Sequence, residues 1–202
     1  MSLTLTFGPM NSGKTSELLS EASRLNSIGL TSLYINHSLD TRSTDEVSTH
    51  NPLLVYKERL PNTTFVKVSC LSGLDVAGFH SILIDEGHFH EDLVTNVIRF
   101  KKAGKHVHVS ALTGDYLRQP IGHTFDLIPL CDNPASDITF KTAYCLLCAK
   151  EGHEAVPAAT SFRIDRQDHN QISVGGSSGK TMKYMALCCE HYDKCSQASD
   201  SA

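Results

Sequence analysis

Three groups of residues in this sequence have types and spacings that could do chemistry. Gly8-Pro9-Met10-Asn11-Ser12-Gly13-Lys14-Thr15 fits the pattern G-x-x-x-x-G-K-[ST], in which glycines let the backbone wrap an anion and the amides opening the next helix point at phosphates. In such a loop Lys14 reaches the outer phosphates of a nucleotide, and the Thr15 hydroxyl can hold magnesium. The second group is Asp85-Glu86, closing the apolar run Ser81-Ile82-Leu83-Ile84. A carboxylate at the C-terminal edge of a buried strand suits magnesium or its waters, so Asp85 is the expected metal partner. Glu86, one residue later, could accept a proton from an attacking hydroxyl. The third group is Cys145-Leu146-Leu147-Cys148 with Cys188-Cys189-Glu190-His191. Three thiolates and one imidazole suit tetrahedral zinc with no open position, hence a structural ion. Cys189 competes with Cys188, but only Cys188 has the C-x-x-H spacing to His191.

A later stretch imitates the first group without matching it. In QISVGGSSGKT, residues 171 to 181, Val174 stands where the loop needs glycine. One nucleotide site is therefore expected, with Gly175-Gly176 a flexible turn or a close backbone approach. His88 and His90 read as partly exposed loop histidines. Phe89 between them is an aromatic that could stack on a flat ligand or pack in the core.

These residues need elements to position them. Leu3-Thr4-Leu5-Thr6-Phe7 alternates at period two and stops at Gly8-Pro9, as a strand entering a turn does. From Ser16, Leu18, Leu19, Ala22, Leu25 and Ile28 recur at helical spacing, and Gly29 stands where a C-terminal cap belongs. Strands are predicted at Ser32 to Asn36, Thr64 to Val68, Ser81 to Asp85 and His106 to Ala111, with a helix through Leu93, Val97 and Phe100. The polar segment His37 to Asn51 reads as a surface loop. Strands alternating with helices to residue 140 predict an α/β domain built on a parallel sheet covered on both faces. After Phe140 helical periodicity fades and the cysteines arrive, which predicts a zinc-held module over residues 141–195 and a disordered tail over 196–202. The long insert between the cysteine pairs, pinned at its base, could cover a neighbouring pocket.

Composition bounds the partners. The chain has 202 residues, 40% of them apolar, and a formal net charge of −4 with lysines and arginines dispersed. That charge lacks the footprint expected for nucleic acid but leaves a small phosphorylated ligand open. Seven cysteines, an odd number crowded toward the C-terminal end, argue for metal over a disulfide framework. With no apolar run of membrane-spanning length and no leader pattern, a soluble cytoplasmic protein is expected.

The segments GPMNSGKT, IDEGHFH, ALTGDYLRQPIG, the two cysteine pairs and VGG…KYMALCCEH occur in the order found in thymidine kinases of the cellular and poxvirus type. The chain resembles that family from about Leu3 to Tyr192. The resemblance implies a P-loop α/β domain, a small zinc domain and a lasso loop closing over thymidine. It also implies ATP and magnesium as co-substrate and cofactor, a homotetramer, and feedback by thymidine triphosphate. By position, Glu86 becomes the general base, residues Gly8 to Thr15 and Asp85 serve ATP and magnesium, and Asp40 and Arg42 match the family's D-T-R near the transferred phosphate. Met10, Phe89, Leu112, Tyr116 and Tyr184 match the thymidine pocket, and Val174 with Gly175 matches the lasso main chain that hydrogen-bonds the base. The chain departs from the family at His88 (commonly glutamine), His90 (often phenylalanine), Thr113 (often aspartate) and Ile121 (usually phenylalanine). The segment 158–163 also aligns poorly with the lasso. The expected activity is ATP-dependent phosphorylation of the 5′-hydroxyl of thymidine, and also of deoxyuridine. The alternatives are a kinase for another deoxynucleoside and a non-catalytic P-loop sensor with a zinc-ribbon interaction module.

Overall fold

The computed structural model describes residues 1–40, 60–164 and 183–200. The first strand, β1 (Leu3–Phe7), ends in the glycine-rich loop, which leads into α1 (Lys14–Ser27) and then β2 (Ser32–His37). Next come β3 (Thr63–Val68), β4 (Ser81–Ile84), α2 (Leu93–Lys102), β5 (His106–Ala111), the short α3 (Pro134–Asp137) and β6 (Ile138–Phe140). The six strands form one sheet in the order β3-β2-β4-β5-β1-β6, and every pairing is parallel. Parallel neighbours need crossovers, and α1, between β1 and β2, and α2, between β4 and β5, supply two of them.

Alternation along the strands sends side chains to two separate cores. Leu33 and Ile35 of β2, Ile82 and Ile84 of β4, and Leu3, Leu5 and Phe7 of β1 pack with Leu93, Val97 and Phe100 of α2 on one face. Tyr34 and Leu83, one residue out of phase, pack with Leu18, Leu19 and Ala22 of α1 and with Phe65 on the other. A strand buried on both faces has no polar side to show, so β4 reads as the unbroken run Ser-Ile-Leu-Ile. Each fully buried leucine stabilises such a layer by roughly 1.5–3 kcal/mol.

Beyond Phe140 the elements are shorter: β7 (Ala143–Tyr144), α4 (Leu146–Lys150), β8 (Pro157–Ala158), β9 (Thr160–Arg163), β10 (Tyr184–Leu187) and α5 (Cys189–Asp200). β7 pairs with β8 and β9 with β10, both antiparallel. Ala143, Cys145, Cys148, Ala158, Phe162, Ala186, Leu187 and Tyr192 form a third, separate apolar cluster. Helix α5 runs to Asp200, into the stretch from Ser196 that the sequence leaves without an apolar anchor. Gln and Ala there are good helix formers, so the helix can extend past its packed part. Among the described residues no helix is long and apolar enough to cross a membrane.

Candidate active site

The loop between β1 and α1 is shaped for an anion. Gly13 enters the helix at φ 82°, a left-handed conformation that glycine adopts without steric cost. No side chain caps the N-terminus of α1, which leaves its first-turn amides to a ligand. The Ser12 hydroxyl is buried with no hydrogen-bond partner among the described residues, an orphan that a phosphate oxygen would satisfy. Lys14 is buried and folds back over the loop, its Nζ donating to the Pro9 carbonyl at 2.9 Å. Loop and sheet meet at the C-terminal strand edge, where Asp85 follows β4.

Asp85 is only 1% exposed and accepts from Thr15 Oγ1 (2.9 Å) and Tyr34 OH (2.9 Å) on one oxygen, and from Ser110 Oγ (2.6 Å) and the Glu86 amide (3.0 Å) on the other. This carboxylate thereby ties α1, β2, β4 and β5 together at one point. Burial, and then repulsion from Glu86, raise its pKa above the usual carboxylate range, while the three hydroxyls oppose the rise. A divalent cation beside it would offset the same burial cost, and a P-loop threonine paired with a strand-end aspartate is the donor set that holds magnesium in such enzymes. Glu86 breaks from the strand at φ 50°, ψ 45°. A non-glycine residue held there costs roughly 1–3 kcal/mol and persists where its surroundings over-determine it. Its carboxylate is buried, with Oε2 3.7 Å from His88 Nδ1.

The histidines require a correction. His88 and His90 are not partly exposed: they are 3% and 0% exposed, because the 3-10 turn Gly87–Phe89 folds them inward. Gly122, at φ 61°, passes so close to the His88 main chain that a Cβ would collide with the His88 carbonyl oxygen. His90 packs edge-on against His37 with ring centres 4.6 Å apart, and neither of its ring nitrogens finds a hydrogen-bond partner among the described residues. Burial, followed by the neighbouring His37, lowers its pKa to about 4 despite the opposing charge of Asp92.

Five of the residues matched to the nucleoside pocket lie among the described residues. Met10, Phe89, Leu112, Tyr116 and Tyr184 are all half-buried. The Met10 amide donates to Ser161 Oγ of β9 at 2.8 Å, and the Leu112 amide to His88 Nδ1 at 3.4 Å. Phe89 lies against His88 and His37. Asp40, just past β2, is 1% exposed and accepts from Asn36 Nδ2 at 3.1 Å. Arg42, Val174 and Gly175 lie outside the described residues, as does the QISVGGSSGKT stretch. Sequence reasoning did not single out Tyr34 or Ser110, which hold Asp85, nor Tyr192, and it met Ser161 and Arg163 only as part of the segment 158–163 that departs from the family. Each is a polar or aromatic residue whose partner is distant in sequence, and no local spacing announces it.

The cysteine cluster has metal dimensions. A tetrahedral zinc with Zn–S about 2.3 Å and Zn–N about 2.0 Å sets its ligands about 3.8 Å apart sulfur to sulfur and about 3.5 Å apart sulfur to nitrogen. Cys148 Sγ and Cys188 Sγ are 3.8 Å apart, and the sulfurs of Cys145, Cys148 and Cys188 lie 3.4, 3.3 and 3.5 Å from His191 Nδ1. Burial and the adjacent sulfurs push the Cys148 thiol up to about 12, which a cation would reverse. His191 Nε2 faces the Glu151 carboxylate at 3.2 Å, the outer contact that orients a metal-bound imidazole. Cys189, the rival ligand, is exposed and outside the cluster.

A family model described as thymidine kinase matches residues 1–192. The chain belongs to the thymidine kinase family. Thymidine kinase from Myxoma virus (strain Uriarra) is 31% identical over 189 residues, covering 93% of this chain and 94% of the viral one. Thymidine kinase 1 of Dictyostelium discoideum and the cytosolic thymidine kinase of Homo sapiens are each 32% identical, over 92% of this chain and 75% and 70% of theirs.

Proposed function

We propose that this chain transfers the γ-phosphoryl group of ATP to the 5′-hydroxyl of thymidine, giving the monophosphate and ADP. The observation that carries the proposal is the hydrogen bond from Thr15 of the loop to Asp85, which fixes the phosphate cradle and the acid pair as one unit. Residues Gly8 to Thr15 hold the triphosphate through main-chain amides, with Lys14 swinging from Pro9 to the outer phosphates. Thr15 and Asp85 would hold magnesium, which would supply charge neutralisation to the triphosphate. Asp40 and Arg42 contribute beside the transferred group. Glu86, one residue from Asp85, accepts the 5′-hydroxyl proton as the oxygen bonds to phosphorus and the bond to ADP breaks. Because the transition state is loose, positioning and electrostatics supply most of the acceleration.

Met10, Phe89, Leu112, Tyr116 and Tyr184 wall the nucleoside, and Val174 and Gly175 read the base through their main chain. Zinc in the Cys145, Cys148, Cys188 and His191 cluster acts as a clasp, since the four ligands leave no open position for chemistry. On family likeness the proposal extends to a cytoplasmic homotetramer restrained by thymidine triphosphate. The test is ADP release with ATP, magnesium and a panel of thymidine, deoxyuridine, deoxycytidine and deoxyguanosine. Release with thymidine, and more weakly with deoxyuridine, is expected. Preference for another nucleoside would reassign the substrate, and no release with any would point to a sensor.

A further inference from the structure

Arg163 is the one arginine among the deeply buried residues described, at 2% exposure. Its guanidinium carbon lies 3.9 Å from the centre of the Tyr116 ring and 5.3 Å from that of Tyr184. At the same time Nε and Nη2 donate to the Tyr184 hydroxyl at 3.0 and 2.8 Å. Only a flat, forked cation can cover one ring with its face while its edge hydrogen-bonds another side chain, and lysine lacks both features. The two tyrosines come from separate parts of the fold. Tyr184 lies directly across from Arg163 in the β9–β10 pairing, whereas Tyr116 belongs to the segment after β5.

Tyr116 is also held from its main chain. The Tyr192 hydroxyl donates to the Tyr116 carbonyl at 2.6 Å. The Tyr192 ring carries the Arg118 guanidinium 3.7 Å from its centre, and Arg118 pairs with Asp193 at 3.0 Å. Tyr192 directly follows the cluster histidine His191. Tyr116 is thus braced on its backbone by α5 and on its ring by β9, and Arg163 is the contact that joins this braced wall to the Tyr184 wall.

We infer that Arg163 is a positioning residue of the nucleoside pocket, setting the spacing and tilt between the Tyr116 and Tyr184 walls and so the affinity for the base. This rests on the proposal that those tyrosines line the pocket. A pocket wall that must first be ordered lowers affinity without altering the phosphate cradle, which is built from other residues.

The experiment is steady-state kinetics on the full chain, zinc-loaded, for unaltered protein, Arg163→Lys, Tyr184→Phe and the double variant. Arg163→Lys should raise the KM for thymidine about tenfold and Tyr184→Phe about threefold, with kcat and the KM for ATP within about twofold. The double variant should be no worse than Arg163→Lys, because both changes remove one shared contact. A merely structural arginine would lower the melting temperature and the active fraction, hence kcat, and leave the thymidine KM in place. That result, an equal rise in the KM for ATP, or additive losses in the double variant would overturn the inference. Tyr184→Phe decides alone if Arg163→Lys does not fold. If unaltered protein fails to turn over thymidine, the pocket reading falls and takes the inference with it. If it saturates normally while the variants keep its KM, the inference falls alone.

Discussion

At the scale of single residues, the site is a set of buried charges held by neutral donors, and its predictions concern protons. Glu86→Gln keeps the shape of the side chain but removes the proton acceptor. Turnover should fall by roughly 10²–10⁴-fold, with ATP and thymidine affinity by calorimetry little changed; near-normal turnover would remove Glu86 from the role. His90 gives a stability prediction. Its folded pKa of about 4 lies below the ordinary 6.5, so its contribution is fully present above pH 6.5 and is lost as pH falls from there toward 4. The loss amounts to about 3 kcal/mol at most. His90→Phe should therefore flatten the dependence of melting temperature on pH in that window, and an unchanged acid slope would assign the loss elsewhere. The loop that holds Lys14 and Thr15 and the placing of Asp85 and Glu86 just past a buried strand were legible in the sequence, because both follow local spacing. The burial of His88 and His90 was not, because their cover comes from Gly122 and His37, far along the chain. Arg163 was hidden for the same reason.

Among elements, the large sheet and the small cysteine-rich part obey different rules. β1, β2, β4 and β5 were readable because each is an apolar or alternating run closed by turn residues. α1 and α2 were readable from their apolar stripes. β7 to β10 are two to four residues long and carry no such pattern. Their order depends on the cluster that brings α4 and the start of α5 together. Cys145→Ser should accordingly lower bound zinc from about one per chain to near none, and amide exchange in β9 and β10 should accelerate while β1 and β5 stay protected. Full zinc content in that variant, or unaltered exchange in β9, would break the link between metal and strands. Because the Met10 amide bonds to Ser161 of β9, the same variant should also weaken ATP binding, although its cradle residues are untouched.

For the whole molecule, the α/β class followed from the alternation of strands and helices, but the strand order did not. Which strands become neighbours depends on crossovers that periodicity along a single segment does not encode. The outcome places β1, carrying the phosphate loop, between β5 and β6, with Leu3 opposite Val107 and Phe7 opposite both Ala111 and Phe140. During synthesis on the ribosome this makes the oldest strand the last to find neighbours. A nascent chain ending before His106 can join β2, β3 and β4 but lacks β5 and β6, the two strand partners of β1, so both backbone edges of β1 wait unpaired for about the time needed to add a hundred residues, roughly 5–20 s. Ribosome-arrested chains of residues 1–105 should bind the chaperones that recognise apolar strands and fail to retain ATP, whereas chains extended past Phe140 should release the first and acquire the second. The glycine-rich loop is thus among the first parts translated and among the last to be fixed in place.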